Sequence, residues 1–299
     1  MYSAQYFLDG QVLLFDKPYG LSSFAVIKKV RYLAKVKKVG HAGTLDPMAT
    51  GVLVLGVGIA TRLLTYITDG KKSYQGIISL GSATHTDDKE GDVIFTAPEN
   101  KLQLITDSQI KEQLAGFVGN IKQRPSSVSA IKIDGKSAHA RVRAGEDVDI
   151  PERDITIDEI EVKQISHLAS SIEIDLSVTC SAGTYIRAIA RDLGEKLEVG
   201  GHLTQLRRTL VSPFTLEQCK DIADAQLISI AEVIEKLFPI RRLDFSESRE
   251  ILFGRTIDQN QQTGVVAALD AQGEFLALLE NKAQGSKIIA APILVKANS

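Results

Sequence analysis

The sequence predicts an α+β fold, with a mixed, mainly antiparallel central sheet, flanking helices and a small β-rich module toward the C-terminal end. Ile172, Ile174, Leu176, Val178 and Cys180 alternate with Glu173, Asp175, Ser177 and Thr179, the period of a strand with one wet face. Residues 22–34 and 184–197 instead space their apolar residues as single helical stripes. Beyond about residue 240 the texture shifts to short apolar runs separated by turns. A chain of 299 residues is long enough for two domains, read as 1–238 and 239–299.

Taken in order, Val12-Leu-Leu-Phe15 reads as a short buried strand closed by the turn signal Asp16-Lys-Pro-Tyr-Gly20. Ser22 or Ser23 caps a helix whose buried stripe is Val26, Ile27, Val30, Leu33 and Ala34. A polar, Gly-rich loop from Gly40 to Gly51 leads into the apolar strand Val52–Leu55, and Thr61–Ile67 reads as a short helix. Tyr74–Leu80 is a strand with Tyr74, Gly76, Ile78 and Leu80 on one side. Residues 82–100 read as a loop, Ser108–Val118 as a Ser-capped helix, and 122–151 as a long, mobile excursion. After the alternating strand, Ser181-Ala-Gly183 turns into a helix with Ile186, Ile189, Ala190, Leu193 and Leu197 buried. Val265–Leu269, Phe275–Leu279 and Ile288–Val295 are the strands of the C-terminal module.

Composition removes several classes. Hydrophobic residues are 44% and charged residues 24%, which excludes a disordered chain, and no apolar run approaches a membrane span. Cys180 and Cys219 are the only cysteines, without metal spacing, and no signal peptide is evident, so the expectation is a cytoplasmic protein. A net charge of −2 argues against indiscriminate coating of nucleic acid. Yet Lys28, Lys29, Arg31, Lys35, Lys37 and Lys38 form a block with no acid, either a solvated helix face or a phosphate-binding surface.

Chemistry concentrates in the loop Gly40-His-Ala-Gly-Thr-Leu-Asp-Pro-Met-Ala-Thr-Gly51, where glycines allow close backbone approach beside His41, Thr44 and Asp46. Asp46-Pro47 alone is an ordinary turn. Gly56-Val-Gly58 lacks the third glycine of a dinucleotide fingerprint. His85, Asp87 and Asp88 contain metal-ligating types, but hydrophilic loops often hold such sets.

The loop nevertheless resembles the catalytic loop of the TruB-type tRNA pseudouridine synthases. Four further segments match that family in order: Asp16–Ser23, Lys72–Gly81, Thr84–Gly91 and Gly183-Thr-Tyr-Ile-Arg187. The chain departs from the pattern at Ser126 and Val128, where the family usually has a proline and an aromatic, and at His139-Ala-Arg141. The resemblance implies the pseudouridine synthase fold with a PUA-like C-terminal module. It also implies isomerisation of uridine 55 in the T arm of tRNA, without guide RNA, metal or cofactor. Asp46 is then the essential carboxylate, Tyr74 the active-site tyrosine and Arg187 the partner of Asp46. Tyr185 packs below the site, Leu206 forms an apolar wall, and His41 fills the stack vacated by the flipped nucleotide. Lys17, Lys28, Lys29, Arg31, Arg207 and Arg208 are the candidate phosphate contacts, residues 122–151 an RNA-contacting insertion, and a monomer the default state. The competing reading is an RNA-folding chaperone that binds tRNA without catalysis.

Overall fold

A computed structural model describes residues 10–126, 132–133, 136–137, 150–221, 224 and 226–296. Among the described residues, ten strands form the main sheet. Its path runs β14 (Gln226–Ser229), β1 (Gln11–Lys17), β3 (Thr50–Val57), β12 (Gly201–Val211), β4 (Lys72–Leu80), β11 (Ile172–Cys180), β10 (Arg153–His167) and β7 (Gly119–Gln123). The short strands β2 (Val39–His41) and β13 (Phe214–Thr215) pair with β3 and β12. All pairings are antiparallel except β3 with β12, where only Thr50↔Arg207 and Gly51↔Arg208 meet in parallel. That contact is close. A Cβ on Gly51 would lie 2.1 Å from the carbonyl oxygen of Arg208, so only glycine fits there.

The sheet is covered differently along its width. Beside β4 and β11, Ile78, Leu80, Ile174, Leu176 and Val178 pack under α4 (Asp107–Ala115) and α5 (Ile186–Lys196). Strands β1 and β3 are covered on both faces, which is why Thr50–Val57 reads as a continuous apolar run rather than an alternation. Leu13, Phe15, Leu53, Leu55 and Val57 face α1 (Ser23–Ala34), while Val12, Leu14, Val52 and Val54 turn the other way. There they meet α2 (Leu64–Thr68), α6 (Ile230–Leu237) and a second sheet of five strands.

That second sheet runs β15 (Ile240–Arg242), β17 (Val265–Leu269), β18 (Phe275–Gln284), β19 (Lys287–Val295) and β16 (Ile257–Asp258). Ala267, Leu269, Phe275, Leu278 and Leu294 share one apolar cluster with Val12, Leu14 and Val54 of the main sheet. Leu243, Ile251, Leu276 and Leu279 form a separate cluster under α7 (Phe245–Leu252).

The α+β fold is as the sequence indicates, with local corrections. Leu33 is 59% exposed, because α1 is apolar on a narrower stripe than its composition suggests. The helix read from Ser108 runs instead from Asp107 to Ala115. Thr106 caps it, and Gln109 returns the bond to complete a capping box. Thr61–Ile67 divides into a 3₁₀ turn, Gly58–Arg62, and α2. The loop read over 82–100 holds the ribbon β5 (Ser82–Thr84) and β6 (Val93–Thr96), followed by the single turn α3 (Glu99–Leu102). Within 122–151, Lys122 and Gln123 belong to β7, and β8 (Lys132–Ile133) pairs with β9 (Lys136–Ser137). The mobility expected of that excursion, and Val128, His139 and Arg141, fall outside the described residues.

Candidate active site

Asp46 sits at the start of a tight turn between β2 and β3, closed by Ala49 N–H donating to the Asp46 carbonyl at 3.1 Å. The loop is held carbonyl by carbonyl. Arg208 Nη2 donates to Gly43 O and Nη1 to Thr44 O, both at 3.1 Å. Ser23 Oγ donates to Leu45 O at 3.1 Å and accepts from Leu45 N at 2.8 Å. Pro47 O accepts from Gly20 N at 2.8 Å and from Lys17 Nζ at 3.3 Å. Five consecutive carbonyls, 43 to 47, therefore each have a donor, which fixes the backbone that carries the Asp46 carboxylate.

The carboxylate meets helix α5. Arg187 Nε lies 3.0 Å from Asp46 Oδ2, with the arginine side chain 7% exposed and the aspartate 39%. The same guanidinium donates from Nη1 to Thr86 O at 2.7 Å and approaches Asp88 Oδ2 at 3.5 Å. Asp88 is itself held by Thr86 Oγ1 at 2.6 Å and by Glu90 N at 3.0 Å. One helical turn on, Arg191 reaches Asp87 Oδ2 at 3.2 Å and Arg124 O at 2.7 Å. Asp87 and Asp88 stand out in the sequence only as metal-ligating types, and Thr86 and Arg191 not as site residues. Their signal was a pair of carboxylates in one polar loop matched by two arginines four apart on a helix.

Tyr74 is buried on β4 in the same apolar cluster as Leu45, Ala49 and Leu206. Burial pushes its phenol above the usual tyrosine range. The charge and hydrogen bonding of Arg208 oppose that shift, and Asp46 adds a smaller push upward. Tyr185 is the N-cap residue of α5, half-buried, its backbone clamped by Gln123, which accepts from Tyr185 N at 2.9 Å and donates to Tyr185 O at 3.1 Å. His41 ends β2, half-buried. Burial, then the charge of Arg208, lowers its pKa, and its Nδ1 has no partner among the described residues. Asp46, Tyr74, Arg187 and Leu206 are thus gathered around one loop. Leu206 and the loop's Met48 and Thr50 also line a neighbouring cleft of about 360 Å³ with Tyr19, Gln75 and Arg207, and Asp46 is not among its lining residues.

The basic residues divide. Lys28, Lys29 and Arg31 are exposed on α1. Arg207 is half-exposed and grips Asp16 with both nitrogens, at 3.2 and 2.6 Å. Two expected phosphate contacts are corrected. Lys17 is fully buried, donating to Leu21 O at 2.6 Å, Pro18 O at 2.9 Å and Pro47 O, and Arg208 is 1% exposed with its third bond to Val52 O at 2.8 Å. Their donors are committed to backbone carbonyls beneath the loop, out of reach of RNA. Burial lowers the Lys17 pKa to about 8, against the charge of Asp46, which raises it. Lys72, also buried, bonds Thr68 O at 2.6 Å and Gly70 O at 2.9 Å and is likewise lowered to about 8 by burial, with Arg208 adding to the shift. Among the described residues no group of His, Cys, Asp and Glu could hold a metal ion, and no helix is long and apolar enough to cross a membrane.

Comparison with known proteins returns one family. Residues 31–186 match the model of the TruB family pseudouridylate synthase N-terminal domain. Residues 187–243 match that of a tRNA pseudouridylate synthase B C-terminal domain, and 238–290 that of a tRNA pseudouridine synthase II C-terminal domain. The chain is 44% identical over 285 residues to tRNA pseudouridine synthase B of Corynebacterium diphtheriae, covering 94% of each. It is also 44% identical over 307 residues to the protein of that name from an Arthrobacter species, covering 98% of each. Among solved structures, it is similar to a chain of an H/ACA RNP bound to a substrate RNA containing 2′-deoxyuridine. That match has a TM-score of 0.72 and 20% identity, covering 99% of this chain and 88% of the other. A chain of a Cbf5-Nop10-Gar1 complex gives a TM-score of 0.71 at 22% identity, covering 99% and 87%. At those identities the two structures establish the fold alone.

Proposed function

The chain belongs to the TruB family of pseudouridine synthases, and on that premise we propose that it converts uridine 55 in the T arm of tRNA to pseudouridine, acting without a guide RNA. Its relatives' shared name, tRNA pseudouridine synthase B, supports tRNA as the substrate. The observation that carries the site is the Asp46–Arg187 ion pair at 3.0 Å, on a loop whose carbonyls 43 to 47 each have a donor.

The reaction breaks the N1–C1′ bond, turns the uracil and forms a C5–C1′ bond. The C5 proton leaves and N1 gains one, so atoms and electrons balance without a co-reactant. The target nucleotide is first extruded from its stack, at a cost of a few kcal/mol. Asp46 then either attacks C1′ or removes a sugar proton, and both routes require it ionised, the form a neighbouring guanidinium favours. Arg187 holds the carboxylate in one orientation, so less freedom is lost in reaching the transition state. Tyr74 stacks on the base, Leu206 walls it and Tyr185 supports the site from α5. His41 occupies the gap left in the RNA stack, a role suited to a ring whose lowered pKa keeps it neutral. Lys28, Lys29, Arg31 and Arg207 contact phosphates. Residues 1–238 form the catalytic domain and 239–299 a PUA-like module, in a monomer that works in the cytoplasm.

The test is tritium release from tRNA labelled at uridine C5. The wild-type chain is expected to release it, and Asp46→Asn to lose at least about a thousandfold in rate while binding tRNA with similar affinity. Full release by Asp46→Asn refutes the assignment of Asp46. If neither protein releases tritium yet both bind tRNA and speed its folding, the chaperone reading replaces catalysis.

A further inference from the structure

The outer face of α1 carries two aromatic residues that neither the fold nor the reaction consumes, on either side of a lysine already assigned to phosphate contact. Phe24, Lys28 and Tyr32 follow one another at intervals of four, so they form a single stripe roughly 12 Å long on the side away from the buried Val26, Ile27, Val30 and Ala34. Phe24 is 67% exposed and Tyr32 81%, while Lys28, Lys29 and Lys35 beside them are also exposed. Two large aromatic rings left in water on one helix need a partner with flat apolar faces. The absence of any acidic residue from Lys28 to Lys38 favours a negatively charged partner. An RNA strand meets both demands, because every base offers a face for stacking and every nucleotide brings a phosphate.

The helix is also tied to the reaction centre. Ser23, its first residue, exchanges two hydrogen bonds with Leu45, the residue before Asp46, and Arg31 Nη2 donates to Val39 O in β2, at the other end of the same loop. RNA seated on this stripe is therefore held in fixed register with the catalytic carboxylate rather than merely attracted to the protein.

We propose that Phe24 and Tyr32 form a stacking platform for unpaired nucleotides of the substrate RNA outside the target uridine, with Lys28, Lys29 and Lys35 neutralising the adjoining phosphates. The proposal rests on the tRNA reading above and adds to its α1 contacts Phe24, Tyr32 and Lys35.

The chain has no tryptophan, so Tyr32→Trp introduces a single reporter. Its emission is expected to be quenched on titration with tRNA and unchanged with a mononucleotide. Phe24→Ser with Tyr32→Ser is expected to raise the tRNA dissociation constant about tenfold or more. Tyr32→Phe retains most affinity, and Leu33→Ser, exposed on the same helix but off the stripe, serves as the unaffected control. An unquenched tryptophan in a protein that binds tRNA normally, or a double variant with wild-type affinity, overturns the platform. Emission that changes with protein concentration instead of RNA also overturns it, assigning the face to contact between copies. Tritium release by the wild-type chain, run in parallel, separates these results from a failure of the catalytic reading.

Discussion

The underside of the catalytic loop and the outer face of α1 are both rich in lysine and arginine, and they use that charge in opposite ways. Beneath the loop, Lys17, Lys72 and Arg208 are buried and spend their donors on backbone carbonyls. On α1 and its C-cap, Lys28, Lys29 and Lys35 stand exposed to water. The buried set fixes where Asp46 is. Identical side chains serve as internal hydrogen-bond donors in one place and stand solvated in the other, and the surroundings alone make the difference.

The contrast is most readily broken at Arg208. Arg208→Met leaves the carbonyls of Gly43, Thr44 and Val52 without their donor, and is expected to lower unfolding stability by roughly 3 kcal/mol or more. Chemical denaturation measures this. A stability equal to wild type would mean that water replaces the guanidinium and that the loop needs no internal cation.

The pH dependence is the next largest effect. Lys17 and Lys72 have folded pKa values lowered to about 8, below the 10.5 of unfolded lysine. Below pH 8 both states are protonated and the burial cost is felt in full. From pH 8 upward the folded chain releases these protons first, so unfolding takes protons up and stability rises with pH. Above pH 9 the thiols of buried Cys180 and half-buried Cys219, pushed up by burial to about 11 and about 12, act in the opposite direction. Stability is therefore expected to rise by about 1 kcal/mol between pH 8 and 9, and Lys72→Met to lose part of that rise. A variant with the wild-type slope would show Lys72 to be better solvated than its burial indicates.

The smallest effect on stability belongs to α1. Lys28→Gln with Lys29→Gln is expected to leave unfolding stability within about 0.5 kcal/mol while reducing the salt dependence of tRNA affinity by about 0.7 to 0.9 per charge removed. An unchanged salt slope would take these lysines out of the RNA interface.

The same contrast shows what sequence can and cannot convey. The strand Ile172–Cys180 was legible because one face is wet and its register with β4 is unbroken, so the alternation survives. β12 was read only as a basic patch at Arg207 and Arg208. Register shifts between Leu203 and Gln205 and between Arg208 and Leu210 disrupt its period, and its arginines suggest a surface. β10 was missed for a related reason, its apolar positions being displaced by shifts near Ile157 and Val162. At the site, Asp46, Tyr74 and Arg187 were reached through the resemblance of short segments to a known family, which needs only local sequence. The carbonyl-binding duty of Lys17 and Arg208 depends on strands and loops about 30 and 160 residues away, and no local pattern encodes it.

One feature of the packing bears on how the protein is made. Val12 and Leu14 of β1 are covered by residues as distant as Ile228, Phe275 and Leu294, and β1 takes β14 as its outer neighbour. A ribosome adds about 5–20 residues per second. Strand β1 thus waits on the order of tens of seconds for the later segments that bury it. During that interval its apolar face and unpaired edge are open to the cell's holding factors, so the order of synthesis runs opposite to the order in which this strand becomes secure.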